Sequence, residues 1–203
     1  MGRMVRPIVP ETDKRILSQD ELRALLRTTD GNEFEHRRDK ALLLLMIDTG
    51  ARLSGVAGVA LDDVDLDLGI VRIFGKGRRH YLASMGSTTV KALDRYLRIR
   101  RGHRLAGRPE LWLARKGPLT GSGIVQVVRR RARDAALKGV HPHAFRHTFA
   151  HAMKSAGASD EDVMALGDWR SKDAMQGYGR TLRAERALVT HKRLSPADTL
   201  TQP

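Results

Sequence analysis

With 203 residues, 41% of them hydrophobic, and no cysteine, the chain is long enough to bury one core of its own and offers neither disulfides nor a thiolate metal site. Its longest apolar run, Ala41 to Ile47, has seven residues; this is far short of a membrane span, and the opening residues lack a secretory apolar stretch, so a cytoplasmic, membrane-free chain is expected. The formal charge of +14 sits entirely in the segment Lys76 to Lys138, with 17 Lys and Arg against three acids; such a segment is either a footprint for a polyanion or a solvated face.

Residues 1–14 are polar and read as a flexible leader. At Ser18 a capping box closes with Glu21 and starts a helix whose Leu22, Leu25 and Leu26 share a face. A second helix, Glu35 to Thr49, carries the apolar run and stops at Gly50, a residue suited to a left-handed cap. Between 64 and 82 the period changes to short strand-like runs, which predicts a small antiparallel meander with Lys76 at a hairpin tip. Helical spacing returns from Ser87, with Val90, Leu93 and Leu97 inward. It returns again from Ser122 to Leu137, with Ile124, Val125 and Val128 inward, Arg129, Arg130, Arg131 and Arg133 in the later turns, and Gly139 closing. Three short helices follow: Ala144 to Ser155, Asp160 to Leu166 capped by Ser159, and one from about Ser171 that carries Tyr178. Residues 190–203 read as a tail.

The stretch His143-Ala144-Phe145-Arg146-His147-Thr148-Phe149-Ala150 resembles the H-x-x-R-H-T-F-A signature of tyrosine recombinases of the phage-integrase type. Other motifs of that family stand in its order: Thr49-Gly50-Ala51-Arg52-Leu53-Ser54, Phe74-Gly75-Lys76-Gly77, and Leu166-Gly167-Asp168-Trp169 with Tyr178 nine residues after the Trp. The resemblance implies an α+β, mostly helical catalytic domain over 15–189 with a small three-stranded antiparallel sheet, and it leaves the family's N-terminal DNA-binding domain absent. It also implies site-specific cleavage and rejoining of duplex DNA through a 3′-phosphotyrosyl intermediate, by a homo-oligomer, a tetramer on the DNA, with no cofactor, metal or small-molecule substrate.

The residue types suit that chemistry. In-line attack on a phosphodiester builds negative charge on its non-bridging oxygens, and the forked donors of Arg52 and Arg146 match it. A Tyr hydroxyl titrates near about 10, so Tyr178 needs cations and an imidazole, His143, to lose its proton. Lys76 is the general acid for the leaving oxygen. Trp169 donates its indole N–H to the phosphate, the role the family gives a His or Trp there. Arg78, Arg79, Arg129, Arg130 and Arg131 are candidate DNA contacts.

Taken singly, each of these is commonly a solvated charge, a hairpin lysine or a packing aromatic; their shared order is what argues for a site. His143, His147 and His151 recur every four residues, as zinc ligands can, but no carboxylate follows His143 as in zinc proteases, and His147 reads better as a support behind Arg146 or His143. Two departures stand out. Gly55 replaces the glutamate that in the family orients the active-site cations, and Asp168 puts a negative charge beside the phosphate pocket unless it pairs with Arg170 or Arg180. The rival reading is a non-catalytic DNA-binding remnant or regulator derived from an integrase.

Overall fold

The computed structural model describes residues 15–75 and 79–169, together with His191 and Ala197. The expected leader, the hairpin tip with Lys76 and Arg78, the helix carrying Tyr178 and most of the tail lie outside the described residues.

Helix α1 (Gln19–Arg27) begins with the capping box, the Glu21 amide donating to Ser18 Oγ at 3.2 Å and the Ser18 amide to Glu21 Oε2 at 2.9 Å. Helix α2 (Phe34–Thr49) buries Leu42, Leu43, Leu44, Leu45 and Met46 and forms the spine of the main core. It is buried nearly all round because α4 and α6 pack on it from different sides. Gly50 ends it at φ +56°, and a side chain there would also run into the Phe149 ring, 2.6 Å from where its Cβ would stand.

After the short α3 (Leu53–Ala57) come strands β1 (Val64–Asp65), β2 (Ile70–Phe74) and β3 (His80–Ser84), an antiparallel sheet in the order β1-β2-β3. Val71, Ile73 and Ala83 point into the core, and Phe74 and Leu82 stay exposed on the other face. Helix α4 (Ser87–Arg100) starts on Asp48, whose Oδ2 accepts from the Gly86 amide at 2.8 Å and from Thr89 Oγ1 at 2.6 Å. Buried Arg100, counted from sequence in the basic segment, does structural work at the other end of α4. It donates to the carbonyls of Ala106, Arg108, Glu110 and Leu111 and so folds the loop after the helix.

Helix α5 (Gly121–Asp134) is shorter than expected. Ala136 takes φ +56°, and the amides of Ala136 and Leu137 turn back to the carbonyls of Arg133 and Ala132 at 2.9 and 2.8 Å. This Schellman closure turns Leu137 onto the core instead of extending the helix. Its inward stripe is Ile124, Val127 and Val128, with Val125 only half-buried. Helices α6 (Pro142–Ser155) and α7 (Asp160–Leu166) follow, and Phe149, Ala150, Val163 and Trp169 form a second, small apolar cluster apart from the main core.

Candidate active site

Three ends of structure meet beside the β2–β3 hairpin. The first is the turn after α2. Thr49 Oγ1 donates to the Leu45 carbonyl at 2.7 Å and accepts from the Ala51 amide at 3.2 Å, so the Thr-Gly-Ala segment is a tied turn that launches Arg52 from the start of α3. The second is α6, where buried Arg146 bridges that turn to the end of α7; its Nη1 donates to the Gly50 carbonyl at 2.8 Å and the Gly167 carbonyl at 2.7 Å. Thr148 of the same motif holds the segment before α1, accepting from the Leu17 amide at 2.8 Å.

The third is the loop after α7. The Trp169 amide reaches back to the Met164 carbonyl at 2.9 Å while Asp168 takes φ +53°, a Schellman closure with Asp168 in the left-handed position and Trp169 as the apolar residue that folds back. Gly167 is required beside it, because a Cβ there would overlap the indole. The indole lies under the Arg146 guanidinium, with Cζ 3.5 Å from the ring centroid, and stacks on Phe149 at 6.3 Å.

Arg52 donates from Nη1 to Asp168 Oδ2 at 2.6 Å and from Nη2 to the Asp168 carbonyl at 3.0 Å. Asp168 therefore pairs with Arg52; Arg170 and Arg180, the partners suggested from sequence, lie outside the described residues. Two guanidiniums from opposite halves of the chain are thus bound to successive peptides, Gly167 and Asp168. His143 is exposed at the start of α6, its ring edge-on to buried His147 with centroids 4.4 Å apart. The sequence reads His147 as a support behind Arg146 or His143, and the ring contact is to His143.

Sequence reasoning missed Tyr81. Its hydroxyl is buried with no hydrogen-bond partner among the described residues. Burial pushes its pKa up, against the pull of the Arg146 and Arg52 guanidiniums. In the sheet Tyr81 stands opposite Ile73, on the same face as Ala83.

Of the candidate DNA contacts, Arg79 and Arg129 are exposed. Arg131 must be corrected: only 5% exposed, it donates from Nε to Asp39 Oδ2 at 2.9 Å and from Nη1 to the Thr28 carbonyl at 2.7 Å. Arg130 also turns inward, to Asp39 Oδ2 at 2.8 Å, and Arg38 completes the group at 2.7 Å from Asp39 Oδ1. A fully buried carboxylate needs such cations, and it draws them from the surface.

The model for the phage integrase family matches residues 15–185. The chain belongs to the phage integrase family. This integrase-family chain is 35% identical over 193 residues to tyrosine recombinase XerD of Mycobacterium leprae (strain TN), covering 88% of this chain and 60% of that protein. It is 32% identical over 172 residues to XerD of Pseudomonas aeruginosa (strain PAO1), covering 83% and 58%. It thus spans about six tenths of the length of these relatives. Among solved structures, the XerA recombinase superposes with a TM-score of 0.73 at 25% identity, over 89% of this chain and 65% of that one. The XerH recombinase bound to a palindromic difH substrate gives a TM-score of 0.73 at 22% identity, over 86% and 52%. The fold is that of tyrosine recombinase catalytic domains, mostly helical with a small three-stranded antiparallel sheet, as expected. Among the described residues no helix is long and apolar enough to cross a membrane.

Proposed function

We propose that this chain is the catalytic part of a site-specific recombinase that cuts and rejoins duplex DNA by transesterification, working as a homotetramer on its site in the cytoplasm. The observation that carries the reading is the meeting of Arg52, Arg146 and Trp169 on the Gly167–Asp168 loop. Forked cations held by fixed carbonyls and an indole face are pre-oriented donors, and such donors act on charge that develops in the transition state without reorganising.

In this scheme the Tyr178 oxygen attacks phosphorus in line and the bond to the 5′-oxygen breaks. The DNA is left joined to Tyr178 through a 3′-phosphotyrosyl link, with a free 5′-hydroxyl on the other side. His143, steadied from behind by His147, takes the phenol proton, and Lys76 gives one to the leaving oxygen. Arg52, Arg146 and the Trp169 indole hold the phosphoryl oxygens. Attack by another strand's 5′-hydroxyl reverses the step and completes exchange. The Tn1549 transposon integrase in complex with transposon right end DNA, a structure of the same fold, supports DNA as the partner.

The test uses a pool of duplexes randomised around a nick, so that the short cleaved piece diffuses away and traps the intermediate. The chain should retain a subset of the pool covalently through denaturant, and Tyr178→Phe should retain none; the retained sequences identify the site. An absence of adduct, with DNA binding intact, would instead assign the chain to the non-catalytic regulators.

A further inference from the structure

We propose that Asp168 is the positioning carboxylate of this site: it sets the Arg52 guanidinium in the plane that receives the phosphate and ties it to the Lys76 hairpin. The proposal rests on the recombinase reading.

The geometry has three parts. First, one residue fixes both ends of the Arg52 fork, through Asp168 Oδ2 at 2.6 Å and the Asp168 carbonyl at 3.0 Å, so the guanidinium has little freedom to rotate. Second, position 55 cannot supply a carboxylate to Arg52. A Cβ on Gly55 would lie 2.7 Å from Ile73 Cγ2 and 3.1 Å from the Phe74 carbonyl, so the hairpin has closed over the place where a side chain would start. Third, the Asp168 carboxylate rests on Gly75, the residue before Lys76, where a Cβ would come within 2.7 Å of Oδ2. The two glycines are complementary. One removes a side chain from α3 so that the hairpin packs close, and the other leaves a hollow on the hairpin that the α7 loop fills with a carboxylate.

The backbone also distinguishes this role from simple capping. The left-handed C′ position of a Schellman closure prefers Gly or Asn, and Asp168 occupies it at φ +53°. The cap alone would therefore favour Gly or Asn here, and the carboxylate serves Arg52.

The variants Asp168→Asn and Asp168→Gly remove the charge while keeping or easing that backbone, so both should fold, as thermal unfolding checks. Single-turnover cleavage of a nicked duplex retained from the pool should fall by about 100-fold in each, the scale of loss when a reacting group is misplaced by roughly an ångström. In an Arg52→Ala background the same changes should cost nothing further, because the residue through which Asp168 acts is gone. A 5′-bridging sulfur, which leaves without a proton, should rescue Lys76→Ala and leave the Asp168 variants slow. Should the Asp168 variants fail to fold, Gly75→Ala displaces the carboxylate without removing it and should show the same dependence on Arg52. Cleavage at or above the wild-type rate would overturn the proposal and make Asp168 a competitor for the phosphate on Arg52. An additive loss in the Arg52→Ala background would overturn it as well. Absence of adduct from the unaltered chain would instead fail the recombinase reading, a result separable from either.

Discussion

Arg146 is scaffold in this structure and, in the proposed mechanism, reagent as well. Its Nη1 donates to two carbonyls of buried glycines, Gly50 and Gly167, for which no other donor stands among the described residues. Arg146→Ala should therefore lower folding stability by about 1–3 kcal/mol, the cost of leaving buried acceptors unpaired, in addition to abolishing cleavage. Arg146→Lys keeps the charge but loses the fork, so it should recover part of the stability in a urea titration and little of the activity. Tyr81 makes the opposite case. Burial raises its pKa above the usual tyrosine value of about 10. The unfolded chain then loses this proton first as pH rises, so the neutral phenol contributes stability that is intact below pH 10 and is lost as pH climbs toward the folded value. Tyr81→Phe should unfold no earlier than wild type at neutral pH and should lose less stability between about pH 10 and 11. A steeper alkaline loss in Tyr81→Phe would show that the hydroxyl has a partner.

At the scale of elements, helix α5 divides its arginines by phase. Arg131 stands seven residues after Ile124 and three after Val128, on the buried stripe, and Arg129 stands on the exposed face. Arg129→Ala should reduce the slope of log affinity against log salt for DNA by about one contact, with folding unchanged. Arg131→Ala should act on stability, and Asp39→Ala, which strands three cations, should cost about 3–5 kcal/mol. A DNA-binding defect in Arg131→Ala without a shift in unfolding would contradict the division. Most of the fold was legible because its signals are local: the Ser18 and Ser159 caps, the apolar run of α2, Gly50 as a stop and the strand-like runs of the hairpin. The phase that buries Arg131 was also present in its spacing from Ile124, but the charge run masked it. What the sequence could not reveal is contact between distant segments. Asp39 calling arginines inward from α5, Tyr81 beside Arg146, and Asp168 on Arg52 depend on which helix lies against which, and no periodicity encodes that.

At the scale of the whole molecule, the positive charge that metals bring to other nucleases would here come from Arg52, Arg146 and Lys76. Cleavage should therefore proceed unchanged in EDTA, and a loss restored by zinc or magnesium would overturn the mechanism. The small cluster of Phe149, Ala150, Val163 and Trp169 has a further consequence. Among the described residues it holds four buried residues, far fewer than the core around α2, so α7 and its loop are expected to open at a lower free energy than that core. The Val163, Gly167 and Trp169 amides, bonded within this unit, should exchange with deuterium before those of Leu43 to Met46. One wall of the phosphate pocket would then melt while the remainder stands. On mild heating, cleavage should fail several degrees below the midpoint read from helical circular dichroism, and it should return at once on cooling because the main core never opened.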